Sequence, residues 1–340
     1  MLYFWTIIAG LVSFFACSVI IKKNDALGLV DIPNNRSSHT IPTPRGGGIG
    51  IFAGIIAGLF GCYVTGIFSP DIKYLIFICG FSAVALVGFF SDRFKITARS
   101  RILWQIIISL IVVFFILDIS LVLDYFKGNL FFAVICGLCC VLWIVSVINF
   151  YNFMDGINTL AAMQAIIAGI SIAVFGIILP NKLLIPVGFI LAGSSFGFLM
   201  LNKSPAKIFM GDTGSYLLGF YIAGIGLMDK KLFIPVVLIL GVFLFDAVFT
   251  LISRVIKKEC WYRAHRSHFY QRAVKLGYSH MQVSAGFSII MCILAFMAFG
   301  YLNASFGARF GIILGAFFVI SGPLVWIISK EAKTALADKK

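Results

Sequence analysis

The sequence predicts an all-α protein that crosses a membrane many times, and three observations carry that prediction. Of its 340 residues, 61% are hydrophobic and 12% charged, about half the roughly 25% charge of a soluble domain. Apolar stretches of the length a bilayer requires, about 20 residues, recur along the whole chain. The cationic residues gather on alternate connections between those stretches. Together they describe a single membrane-embedded domain over residues 1–340, with a basic cytoplasmic tail at 329–340.

About eleven spans follow from the apolar runs, at 2–21, 47–68, 72–90, 102–117, 129–149, 159–179, 183–201, 213–228, 232–253, 281–302 and 307–328. The first has no basic region ahead of it and no small-residue cleavage site, so it reads as a retained span and not a signal peptide. An odd number of spans puts the termini on opposite sides. One set of connections, with the tail, holds 21 Lys and Arg, and the opposite set holds 6. The positive-inside rule then sets the N-terminus outside and the C-terminus in the cytoplasm. The net charge of +14 is explained by that distribution, without a nucleic-acid partner.

The same assignment makes the long connections 22–46, 91–101, 202–212 and 254–280 cytoplasmic, along with the short link 150–158. Function concentrates in loops held by a rigid scaffold, so the active face is expected in the cytoplasm. The eight cysteines form no disulfide framework; Cys136, Cys139 and Cys140 read as small hydrophobes at helical spacing. Glycines four apart at Gly54/Gly58, Gly193/Gly197 and Gly307/Gly311/Gly315 read as close helix packing within the chain, with a homodimer interface as the alternative.

Five polar segments carry candidate chemistry. In the first loop, Arg36, His39 and Arg45 precede Gly46-Gly47-Gly48; this reads either as a basic loop for an anionic ligand, whose glycines let backbone N–H groups approach it, or as a positive-inside loop at a packed helix start. In Ser91-Asp92-Arg93-Phe94-Lys95, Asp92 is either a helix-end carboxylate paired with a neighbouring cation or a group at a phosphate site, with Lys95 neutralising charge. Asn152, Asp155 and Asn158 lie three apart in a link with no basic residue, where an acid meets a metal or a substrate sooner than a salt bridge. Pro205 to Gly219 sets Asp212 between two glycines where a polar loop enters an apolar helix, a costly position for a carboxylate. The last segment sets His265 and His268 among Arg263, Arg266 and Arg272, an anion clamp or, more plainly, a lipid-headgroup patch. Asp246, inside the ninth span, needs a partner, structural or functional.

These five segments, in this order, resemble the polyprenyl-phosphate N-acetylaminosugar-1-phosphate transferases, the superfamily of MraY-type and WecA-type enzymes (glycosyltransferase family 4). The resemblance covers Gly28 to Gln271. Pro205 to Ser215 resembles the family's PAxIFMGDxGS, Asn152 to Gly156 its NxxDG, Ser91 to Lys95 its DDxxK, and His265 to Gln271 its last HRxHxYQ-type loop. The resemblance implies transfer of a sugar-1-phosphate from a UDP-N-acetylaminosugar to undecaprenyl phosphate in the bacterial inner membrane, with release of UMP and a requirement for Mg²⁺ or Mn²⁺. It assigns the metal to Asp212 with Asp155, and catalytic roles to Asp92, Asp155, Asp212 and His268. Lys95, Asn152, Asn158, His265, Arg266, Arg36 and His39 are the implied substrate contacts.

Two departures stand out. Ser91 replaces the first of the family's paired aspartates, and Asn158 replaces the second aspartate of DGxDG. Without a carboxylate at 91, single displacement by the lipid phosphate is favoured, since a phosphate monoester with a second pKa near ~6 is largely dianionic at pH 7. The last loop lacks the consecutive histidines of the muramoyl-pentapeptide branch, which favours GlcNAc or a related HexNAc and the start of O-antigen or another surface polysaccharide. Two rivals remain. A secondary transporter or lipid flippase expects ionisable residues at mid-membrane, and a degenerate, non-catalytic homologue is suggested by Ser91.

Overall fold

A computed structural model describes residues 1–33, 41–94, 96–117, 119–260 and 265–337, with backbone only at 119–121 and 335–337. Among the described residues the chain is all-α apart from one pair of two-residue antiparallel strands, β1 (Val30–Asp31) and β2 (Thr43–Pro44), and an isolated parallel bridge between Arg45 and Phe209. The helices are α1 (Leu2–Leu27), α2 (Gly47–Val64), α3 (Ile72–Phe94), α4 (Ala98–Ile116), α5 (Ile119–Tyr125), α6 (Leu130–Met154) and α7 (Leu160–Ile178). They continue with α8 (Leu184–Asn202), α9 (Gly211–Met228), α10 (Phe233–Ile239), α11 (Gly241–Ile256), α12 (Phe269–Lys275), α13 (His280–Asn303) and α14 (Phe306–Ala337). Among the described residues, nine helices are long and apolar enough to cross a membrane, or ten if α10 and α11 count as one broken span. This is a polytopic membrane protein.

Two expected spans take a form of their own. The eighth, α9, begins Gly-Asp-Thr-Gly-Ser and is buried from Gly211 through Gly226. It packs between α3 and α6, with α2 and α10 also against it. A helix enclosed on every side meets protein instead of lipid, so its polar first turn is tolerated. The ninth is not one straight span, because α10 and α11 meet at an angle of 74°. α6 also runs five residues past its expected end at 149, because Tyr151 and Asn152 find tertiary partners there. The tail expected at 329 continues α14 through Ala337.

Glycines let the central helices approach closely. A Cβ on Gly197 would stand 2.0 Å from the Gly10 carbonyl oxygen, and one on Gly54 2.5 Å from that of Ala9. The first two glycine pairs therefore pack α1, α2 and α8 within the chain. At Gly307 and Gly311 a Cβ would meet nothing within 4 Å. The outer helices present large apolar side chains on their free faces, among them Phe15, Phe114, Phe131, Phe296 and Phe318, as lipid contact requires.

Candidate active site

The site is built around the first turn of α9, whose leading N–H groups have no partner within the helix. Asp92, at the end of α3, supplies one. Its carboxylate accepts from the backbone N–H of Asp212 (2.9 Å) and Thr213 (2.9 Å) and from the Thr213 hydroxyl (2.7 Å). A negative charge at a helix N-terminus is also favoured by the helix dipole. Gly211 makes room: it has φ +76°, and a Cβ there would lie 2.6 Å from Asp92 Oδ2. Gly48 permits the start of α2 to touch the same turn, since its Cβ would sit 2.0 Å from the Gly214 nitrogen.

The loop before α9 is fixed by backbone pairing. The Phe209 N–H donates to the Pro44 carbonyl (2.8 Å), and the N–H groups of Gly47 and Gly48 donate to the Phe209 and Met210 carbonyls (2.9 Å each). Of the two readings of the glycine run, this favours the packed helix start over the anion cradle, because Gly47 and Gly48 spend their N–H groups on the chain itself. Asn202 pins the other end of the loop, accepting from the Thr159 N–H (2.8 Å) and donating to the Ile208 carbonyl (2.9 Å).

Asp212 then projects from α9 into a ring of donors. Its Oδ2 accepts from Ser91 Oγ (2.6 Å), an Arg101 N–H (2.8 Å) and the Tyr216 hydroxyl (3.3 Å), and its Oδ1 from Asn152 Nδ2 (3.0 Å). Arg45 joins the two carboxylates, with Nε 3.2 Å from Asp92 and a terminal nitrogen 3.8 Å from Asp212. Burial opposes the Arg45 charge, but the carboxylates of Asp92, Asp212, Asp31 and Asp155 together hold the guanidinium above its ordinary pKa. Arg101 is set one turn into α4, which starts where the Thr97 side chain accepts from the Ser100 N–H (3.2 Å). The site thus combines two nearly buried carboxylates with two arginines that remain about one-third exposed, leaving cationic surface turned outward.

The end of α6 closes this ring. Asn152 also donates to Ser215 Oγ (2.9 Å), and Asp155 is the residue that ends the helix. Burial pushes the Asp155 carboxyl well above its ordinary pKa; Arg45 opposes the shift, while Asp212 and Asp92 reinforce it. Asp155 therefore senses the same charges as the ring, and its backbone N–H donates to the Asn152 carbonyl (3.3 Å).

A second cluster lies around α12. His268 is buried, its Nδ1 3.0 Å from Asp246 Oδ1, and its ring stands beside those of His265 (4.9 Å between centroids) and Phe153 (5.9 Å). The two clusters are connected through Tyr270, whose hydroxyl donates to the Phe153 carbonyl (2.8 Å), next to Asn152. Only glycine fits at 156, since a Cβ would lie 2.0 Å from that hydroxyl. Burial, and then the neighbouring His268 and Arg254, lower the pKa of His265 to about 4.

Of the residues singled out in the sequence, Asp92, Asp212 and Asn152 meet directly, Asp155 joins them electrostatically, and His265 and His268 share the second cluster. Asn158 turns elsewhere, donating to Ser204 Oγ (3.1 Å). The Arg266 carbonyl accepts from Lys275 (2.8 Å). Arg36, His39 and Lys95 lie outside the described residues. Sequence reasoning did not find Arg101, Thr213 or Tyr216, and treated Arg45 only as part of a basic loop. A signal existed for Thr213 and Tyr216, which share a turn with Asp212. Arg101 gave none, being one cation among several in its loop.

Residues 74–229 match the sequence profile of glycosyl transferase family 4, a stretch that contains Asp92, Asp155 and Asp212. A Bacillus subtilis protein described as a probable undecaprenyl-phosphate N-acetylglucosaminyl 1-phosphate transferase is 32% identical over 295 residues, covering 81% of this chain and 78% of its own. The decaprenyl-phosphate N-acetylglucosaminephosphotransferase of Mycobacterium tuberculosis is 26% identical over 341 residues, with 88% and 81% covered. A phospho-N-acetylmuramoyl-pentapeptide-transferase of Caldanaerobacter subterraneus is 28% identical over 255 residues, covering 70% and 79%.

Proposed function

This chain belongs to glycosyl transferase family 4, and we propose that it transfers an N-acetylaminosugar-1-phosphate, GlcNAc or a related HexNAc, from a UDP-sugar to undecaprenyl phosphate. The observation that carries this reading is the pairing of Asp92 and Asp212 with Arg45 and Arg101 at the start of α9. Joining two phosphates requires anions to approach, and outward-facing guanidinium groups beside a carboxylate that can hold a metal suit that task. The named relatives, two of them GlcNAc-phosphate transferases, support the same donor. The product would be the lipid carrier for O-antigen or another surface polysaccharide, made at the cytoplasmic face of the inner membrane by a chain of eleven spans with its N-terminus outside.

In this reaction a lipid phosphate oxygen attacks the sugar-linked phosphorus of the UDP-sugar. The new P–O bond forms as the bond to the bridging oxygen breaks, and UMP leaves with that oxygen and its electron pair. Arg45 and Arg101 take up charge that develops on the phosphoryl oxygens, and His268, with Nδ1 on Asp246, offers Nε2 to the substrate from the second cluster. The donor set fits Mg²⁺ or Mn²⁺: Asp212, Asp155 and Asn152 offer hard oxygens, and Mg²⁺ typically uses one or two carboxylates with substrate phosphates and water. When bound, the metal neutralises the diphosphate. A cation beside Asp155 would also bring its raised pKa back down.

The test is purified protein with radiolabelled UDP-HexNAc, undecaprenyl phosphate and Mg²⁺. A labelled lipid is expected, lost with a chelator and restored by Mg²⁺ or Mn²⁺. No labelled lipid from any UDP-HexNAc would sink the proposal, and transport by the same protein in liposomes would then favour the transporter. Position 91 tests the mechanism. Ser91 Oγ donates to Asp212, so an aspartate there replaces a donor with a second anion, repelling Asp212 by about 4 kcal/mol at 4 Å and an effective dielectric of 20. Ser91→Asp is expected to leave the rate unchanged or lower it. A tenfold gain would point to a nucleophilic carboxylate at 91 instead of single displacement.

A further inference from the structure

We propose that Asp246 is the positioning residue for His268, fixing its tautomer and orientation for the transfer reaction; this rests on the transferase reading above. Asp246 is a carboxylate on the broken helix α10/α11 with 1% of its side chain exposed. Three of its four partners donate to it, and the fourth is the His268 ring. Oδ1 accepts from the Phe269 N–H (3.1 Å) and the Thr250 hydroxyl (3.1 Å) and faces His268 Nδ1 (3.0 Å), while Oδ2 accepts from the Tyr270 N–H (3.4 Å). With a carboxylate oxygen opposite, the proton on the imidazole belongs at Nδ1. That leaves Nε2 as the ring atom available to a ligand.

The geometry also fixes where the ring can be. The two backbone N–H groups gripped by Asp246 follow His268 directly, so backbone and ring are held by the same side chain. Tyr270, the third residue in the grip, donates onward to Phe153 on α6, one residue from Asn152 on the Asp212 ring. Asp246 thereby sets the distance between the histidine and the carboxylate ring as well as the ring's tautomer. The 74° bend between α10 and α11 supports this arrangement, because α11 carries Asp246 on a course different from that of the preceding helix. This residue lies beyond the 74–229 match to the family, and its role comes from the hydrogen bonds alone.

A double-mutant cycle tests the proposal. Asp246→Asn is expected to lower kcat by about 10- to 100-fold, with KM for the UDP-sugar nearly unchanged. In a His268→Gln background the same substitution should cost less than about threefold, because the residue it acts through is gone. An equal loss in both backgrounds would overturn the proposal and leave Asp246 as a helix anchor. A wild type that makes no lipid-linked sugar would instead remove the transferase reading, so the two failures are distinct. A second measurement needs no folded Asp246 variant. Wild-type protein labelled with ¹⁵N-histidine, with His268 assigned by its loss in His268→Gln, should show a protonated Nδ1; a neutral ring protonated only at Nε2 would overturn the proposal.

Discussion

Asp212→Asn is expected to abolish turnover, by at least about 10³-fold, in a protein that still folds and inserts. The amide matches the carboxylate in size, and the surrounding network can satisfy it. With its oxygen in the Oδ2 position, the amide still accepts from Ser91, Arg101 and Tyr216. Its NH₂ then faces Asn152, whose own amide can turn to accept, while Ser215 rotates its hydroxyl to compensate. Arg45 keeps Asp92. What disappears is the charge that would hold a divalent cation on the diphosphate. The lipid-linked product assay should read zero while the thermal midpoint in detergent stays near wild type. Near-normal activity would mean that the metal is held elsewhere.

The fold was legible where physics acts locally. Runs such as 129–149 announce themselves because lipid demands uninterrupted apolar length, and every one but 232–253 has a single helix. What escaped was decided by tertiary partners. The bend between α10 and α11 falls at Leu240-Gly241, where one glycine in an apolar run does not announce a break, and α6 continues to Met154 because Tyr151 and Asn152 bond to residues beyond the helix. The same division runs through the site. Asp212 was visible because a carboxylate at the start of an apolar helix is expensive. Arg101 was not, because a cation in a positive-inside loop has a sufficient reason to be there. Asp246 was conspicuous as a charge inside a span, yet its partner, 22 residues on at His268, could not be chosen from sequence. The glycine run before α2 could not be decided between its two readings, because a backbone N–H that serves a ligand and one that serves a neighbouring loop look alike until the loop is placed.

Asp92→Asn should behave differently from Asp212→Asn, and the contrast separates a structural carboxylate from a chemical one. Both Asp92 oxygens are committed to donors. Oδ1 takes the Asp212 N–H and Arg45 Nε, and Oδ2 takes the Thr213 N–H and hydroxyl. An asparagine must turn its NH₂ toward one of these pairs. The Thr213 hydroxyl could rotate away, but neither backbone N–H can, so one buried N–H at the start of α9 loses its acceptor. That costs about 1–3 kcal/mol, and Arg45 loses its closer anion besides. The expected result is a thermal midpoint in detergent lower by roughly 3–10 °C, together with an activity loss that follows from the displaced Asp212. Adding a carboxylate elsewhere cannot repair it, because the defect lies in the two N–H groups that only position 92 reaches. A variant with a wild-type midpoint and no activity would show that α9 finds its cap without Asp92. The charge at 92 would then belong to the reaction itself.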